Sequence, residues 1–246
     1  MTKSDKDLAL RCSRCGRQAQ AADKFCAECG HFLRDAYVDH RLMLALNQET
    51  EGRSREARTE LARLLDGVPD HVVGNHLMGT LYFHAGMLDL AIECYKKALA
   101  GAPGFVLGYY DLGVAWYHRG NMPEAIAAYR KCLELDLNYY AAHYRLGIAL
   151  FHAGELDEAL RHFELSMTLT PEYLMAHYHR GVIYERKNNF EAAAAEFERS
   201  LEEGVGEVSS LFHLAGIRRA KGDTAGAEEL LRRAREFGQV NSIRQG

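Results

Sequence analysis

Four cysteines near the start of the chain, Cys12, Cys15, Cys26 and Cys29, form two C-x-x-C-G units, CSRCG and CAECG, with ten residues between Cys15 and Cys26. A two-residue gap lets both thiolates of a knuckle face one ion. The glycine after the second cysteine permits the φ > 0 turn that aims backbone N–H groups at sulfur. Two such knuckles supply the four soft ligands of a closed tetrahedral zinc site. Four protein ligands leave no coordination position for water, so the single zinc ion expected here is structural, not catalytic. Two disulfides are the competing arrangement, and a cytosolic context argues against them. A redox C-x-x-C normally occurs once, at a helix start beside a strand. His31 reads as a surface histidine, because the cysteines already fill the site. Roughly twenty-five residues bury too little apolar surface to fold alone, so the metal is expected to supply most of this segment's folding free energy.

A second set of residues could do chemistry. The stretches FHAG at 83–86, YHRG at 117–120 and FHAG at 151–154 each place a histidine beside an aromatic ring and two residues before a glycine. They are separated by 34 residues, and so is much else. Gly79, Gly113, Gly147 and Gly181 share that step, as do Ala57, Ala91, Ala125, Ala159, Ala193 and Ala227. Four residues beyond those alanines come Leu61, Tyr95, Tyr129, Phe163, Phe197 and Leu231; Pro69, Pro103 and Pro171 recur near the repeat's end. Within one repeat the apolar spacing is helical, and Gly86 and its equivalents stop the first helix as C′ residues. Six helical hairpins are therefore predicted between about Val38 and Val240.

This pattern resembles the tetratricopeptide repeat family, whose repeat runs W-x2-L-G-x2-Y, then Ala, Phe, Ala and Pro. The third repeat carries Leu112-Gly113 with Trp116, then Ala125, Tyr129 and Cys132. The terminal repeats depart from it, with Gln48 and Arg218 where the middle ones have Tyr82, Trp116, Leu150 and Tyr184. An end repeat has one face without a neighbour, so a polar residue there is expected. The N-terminal segment, through KFCAECGHFL, resembles the short zinc ribbons found at bacterial protein N-termini. The implied fold is all-α, a right-handed superhelical solenoid of six hairpins over residues 35–246, preceded by a zinc ribbon over residues 1–34.

The resemblance implies a concave surface lined by the first helix of each hairpin. Its stripe at i, i+3, i+7 and i+10 reads Leu107, Tyr110, Val114 and Tyr117 in the third repeat. Across repeats one row is Leu42, His76, Tyr110, Tyr144, Tyr178 and Phe212. A second is Glu49, Phe83, Tyr117, Phe151, Glu185 and Arg219, edged by His84, His118 and His152. An aligned aromatic surface marks a binding site, here for a peptide or helix of a partner protein. The alternative is that the rings pack on one another and shape the superhelix. Equivalent histidines of adjacent hairpins stand ~10 Å apart, one interhelix spacing, too far to share a metal. A histidine edge also suggests a pH-sensitive groove. The family's subclass that clamps acidic C-termini uses Lys, Asn and Arg at places where this chain has Tyr, Val, Ile and aromatic residues.

Composition narrows the classes. The 246 residues carry a formal charge of −4. Residues 1–34 have seven Lys/Arg against four Asp/Glu, so the remainder is seven negative. A weakly basic head with Arg11, Arg14, Arg17, Lys24 and Arg34 on an acidic body gives nucleic-acid binding only modest support. Self-association through the groove or an end hairpin is a further possibility. No apolar run approaches the ~20 residues of a membrane span, and the polar start MTKSDKDLALRC lacks a signal-peptide core. A cytoplasmic, non-enzymatic interaction protein is expected. No H-E-x-x-H, G-x-S-x-G or P-loop pattern is present.

Overall fold

The structure is a computed structural model, and it describes residues 10–11, 17–19, 26, 40–170, 175–204 and 207–243. The chain divides into two compact units, residues 1–142 and 143–246. Among the described residues there are twelve helices and one pair of two-residue strands.

The N-terminal unit holds three hairpins: α1 (His40–Thr50) with α2 (Ser54–Gly67), α3 (Val72–His84) with α4 (Leu88–Gly101), and α5 (Val106–His118) with α6 (Met122–Leu135). Ahead of them β1 (Leu10–Arg11) pairs antiparallel with β2 (Gln18–Ala19), with Leu10 opposite Ala19. Helix α7 (Tyr140–Ala153) begins at the boundary and leads into α8 (Leu156–Leu169). The C-terminal unit continues with α9 (Met175–Arg186) and α10 (Phe190–Glu202), then α11 (Glu207–Ala220) and α12 (Thr224–Ile243). The hairpin count and the 34-residue register agree with the sequence.

Each reversal follows one design. Gly86 has φ +74°; its N–H donates to the Phe83 carbonyl, and the Met87 N–H donates to the Tyr82 carbonyl, both at 2.9 Å. These are the two bonds of a Schellman cap, and they need a left-handed residue at that place. In the fifth hairpin Asn188, at φ +57°, takes the glycine's role. Asparagine is among the few side chains that tolerate this region.

Helix contact within a hairpin is set by size. A Cβ on Gly113 would lie 2.5 Å from the Tyr129 ring, and one on Gly79 would lie 2.7 Å from Tyr95. Gly147 and Gly181 meet Phe163 and Phe197 in the same way, at 2.9 and 2.7 Å. In the first and last hairpins the ring is replaced by Leu61 or Leu231, and the glycine becomes Ala45 or Ala215. The pair keeps its summed volume, as close packing requires. At the α6–α7 joint the proline of positions 69, 103 and 171 is replaced by Leu137, 74% exposed, and the sequence also lacks it at Val205.

Candidate binding face

In the N-terminal unit the candidate residues lie on α3 and α5. His76 Nε2 sits 2.7 Å from Asp111 Oδ2, and its ring meets Phe105 edge-on at 4.9 Å and Tyr95 at 5.5 Å. Tyr110 packs on Tyr129 of the second helix and on Tyr139, with centroids at 6.1 and 5.3 Å. Phe83 stands edge-on to His118 at 5.3 Å. Phe83, Tyr110 and Tyr117 are half-buried, and His84 and His118 are exposed. Leu42, which begins the Tyr110 row in the sequence, is fully buried in the core of the first hairpin.

In the C-terminal unit the same rows sink at α7 and rise again toward α11. Tyr144 and Phe151 are buried. The Tyr144 hydroxyl lies 3.1 Å from His179 Nε2, and both rings lean on Phe163, His179 in a parallel stack at 5.4 Å. Burial, with a smaller contribution from the charge of His152, pushes the His179 imidazole down to about 4, so it is neutral at pH 7. Tyr178 reaches His213 Nε2 at 3.5 Å. The other nitrogen of His213 is 2.7 Å from Glu185, and its ring stacks on Phe197 at 4.8 Å. Arg186 lies 4.0 Å over the Phe151 ring. His152 is exposed, as is Phe212, at 51%.

These contacts obey a rule that the row alignment missed. A residue of one row meets the residue 35 positions later, one place past its own equivalent in the next hairpin. His76 meets Asp111, Phe83 meets His118, Tyr144 meets His179, Phe151 meets Arg186 and Tyr178 meets His213. The rows thus join adjacent hairpins while offering one edge outward. Periodicity reveals which positions are equivalent; the one-place offset comes from the three-dimensional stagger of neighbouring helices.

The faces differ in charge. Among these row positions the N-terminal unit has Glu49 and Asp111 and no Lys or Arg. The C-terminal unit has Arg145, Arg186 and Arg219 with Glu185. Sequence reasoning also missed a buried polar set behind the C-terminal face. His143 Nδ1 and His162 Nδ1 are 2.9 Å apart, so one ring donates to the other. His177 Nδ1 lies 2.6 Å from Glu196, which also holds Arg180 at 3.1 Å, and Glu203 is 3.6 Å from His177 Nε2. His143 and His177 share one repeat position, and their partners His162 and Glu196 share another, so the same pair of places is polar in two successive hairpins; that was the available signal.

Of the proposed zinc ligands, Cys12, Cys15 and Cys29 lie outside the described residues. Cys26 is described and is 1% exposed. Among the described residues no group of three or more His, Cys, Asp or Glu is placed to hold a metal ion, and no helix is long and apolar enough to cross a membrane.

Tandem helical hairpins of fixed length, closed by a glycine–ring contact, define a helical repeat protein. Tetratricopeptide repeat models match residues 42–104, 76–136, 161–207 and 178–241, and a second model of the same repeat matches 140–173. The chain belongs to the tetratricopeptide repeat family. A comparison with curated proteins returns no match. Among solved structures it is similar to MamA, at 27% identity and a TM-score of 0.63 over 65% of this chain and 94% of that one. It is similar to YrrB, described as a TPR protein with an unusual peptide-binding site, at 22% identity and 0.65 over 70% and 88%. It also matches Pseudomonas aeruginosa pilF at 18% and 0.66, over 80% and 89%. The last two likenesses concern the fold alone.

Proposed function

We propose that this protein is a non-catalytic interaction scaffold that binds a peptide or helix of a partner protein on the first-helix faces of its repeats. The observation that carries the reading is the partial exposure of the aligned rows. Phe83, Tyr110, Tyr117 and Tyr178 are half-buried, held from behind by neighbouring hairpins, while Phe212, His84, His118 and His152 stand exposed at their edges. Rings fixed in this way lose little freedom on binding, which favours affinity. The test begins with a peptide derived from a captured partner. Phe83→Ala with Tyr117→Ala weakens its binding about tenfold or more, with the thermal melt nearly unmoved. Unchanged affinity in the folded double variant overturns the reading. Tyr144 is unsuited to this test, because its loss strips His179 of a buried partner.

The N-terminal segment is proposed to hold one structural zinc through Cys12, Cys15, Cys26 and Cys29. Two observations support the fit. β1 pairs antiparallel with β2, and Cys12 and Cys15 fall between those two strands in the sequence. Cys26 is buried within a segment too short to have a core of its own. When bound, the ion supplies a cross-link and no reaction. Elemental analysis of purified protein should give one zinc per chain, released by a thiol-reactive reagent; a metal-free chain with an intact β1–β2 pair overturns the assignment.

A further inference from the structure

We infer that the joint between α6 and α7 is the seat of this chain's own N-terminal module. Arg17, beside β2, donates from Nη2 to the Leu135 carbonyl at 3.3 Å across 118 residues of sequence. Leu135 is the last residue of α6, where carbonyls lack amide partners and the helix dipole is negative. Asp136 flanks it and adds negative charge, while Glu134 on the other side is paired with Lys131 at 2.7 Å. Residues 1–34 carry a surplus of three cations, opposite in sign to this helix end.

A second observation, independent of that contact, falls at the same place. The repeat pattern breaks here twice. The proline found at 69, 103 and 171 becomes Leu137, and the valine that opens α3 and α5 becomes Tyr140. Val72 and Val106 are buried, whereas Leu137 and Tyr140 are 74% and 42% exposed. Val205 also stands in the proline's place, but Val208 keeps the opening valine there, so the pair Leu137 and Tyr140 sets apart the joint that Arg17 touches. The polar contact and the two apolar substitutions together form a seat for a small basic module. The N-terminal segment also belongs to the same compact unit as this joint. The module is thus docked three hairpins along the chain instead of hinged at the first.

The test uses the full chain with benzoylphenylalanine, a photoreactive residue, at Leu137. Irradiation should link it within one chain to residues 10–34, read by mass spectrometry of the monomer band. The same probe at Pro103, the equivalent place one hairpin earlier, should give no such link. Arg17→Glu should lower the Leu137 yield about fivefold and raise amide exchange over residues 135–141, with the Trp116 fluorescence melt unchanged. Links only between two copies, no link to residues 10–34, or a yield insensitive to Arg17→Glu overturns the proposal. The docking does not depend on what the cysteines hold, and elemental analysis of the same sample separates the two readings. A link to residues 10–34 in a metal-free chain supports the docking and counts against the zinc; one zinc per chain with no such link overturns the docking and leaves the zinc standing.

Discussion

In the N-terminal unit the space within and between hairpins is filled by Ala91, Tyr95, Ala98, Phe105, Leu112 and Ala115, and among its described residues the buried polar side chain is Asn75. The Asn75 amide donates to the Pro69 and His71 carbonyls at 2.8 and 3.1 Å. In the C-terminal unit the corresponding space holds His143, His177, Glu196, Ser166, Ser200 and Ser210, all buried. The hairpin geometry is the same in both. The repeat therefore fixes side-chain volume at each position and leaves polarity open. A polar interior must be satisfied group by group, so the C-terminal unit depends on pairings that the N-terminal unit does not need.

The strongest way to break this contrast is Glu196→Ala. Glu196 is the shared acceptor for His177 and Arg180, and Arg180 Nε already lacks a partner among the described residues. Removing one member of a buried charge pair costs ~3–5 kcal/mol, because the survivors remain desolvated. Amide exchange over α9 and α10 should rise steeply. Trp116, the chain's one tryptophan, lies in the other unit and should keep its melting transition. A loss below ~1 kcal/mol would show that the buried charges are not mutually dependent.

Acid should produce the next largest difference. His179 is neutral in the fold, with its imidazole pushed down to about 4 from an ordinary 6.5. The unfolded chain takes up a proton as pH falls through 6.5, and the folded chain does so only near 4. Stability from this group is therefore complete above 6.5 and declines as pH falls between those values. The loss reaches ~2 kcal/mol by pH 5. Denaturant melts at pH 7 and pH 5 should show it in the C-terminal unit. His179→Leu should shrink the pH difference by about that amount; an unchanged pH difference would exclude His179 as its source.

How much of this was legible follows from what recurs. The register and the turn glycines repeat every 34 residues, so spacing revealed them; the ring position was equally periodic, but spacing pointed Tyr129 into the gap between hairpins, whereas it closes on Gly113 within its own. Asn188 could be placed in the glycine series because both residues satisfy one backbone constraint. The face rows were legible as positions, but their depth was not. Tyr144 and Phe151 sink because His179 and Arg186 reach across from the next hairpin, and that offset of one residue depends on how neighbouring helices stagger. The His143–His162 and His177–Glu196 contacts join one pair of positions in two successive hairpins, and they were hidden because the equivalent pairs, Asn75 with Cys94 and Tyr109 with Ala128, carry no such chemistry. Leu137 was visible only as a missing proline; Arg17 at Leu135 gives that gap a meaning.

The smallest effect tests the feature shared by both units. Gly113→Ala places a methyl 2.5 Å from the Tyr129 ring, which is fully buried and cannot swing away. Overpacking costs ~1–3 kcal/mol, and the gain in helix propensity on replacing glycine returns up to ~1 kcal/mol. A net loss of ~1–2 kcal/mol in the Trp116 transition is expected. The terminal hairpins indicate the remedy, since Ala45 faces the Leu61 place and Ala215 the Leu231 place. Tyr129→Leu in the Gly113→Ala background should recover most of the loss, although each change alone destabilises. The same exchange at Gly181 and Phe197 should recover less, because the Phe197 ring also carries the His213 stack at 4.8 Å. Equal recovery at both sites would mean that the polar interior places no added demand on the repeat's ring position.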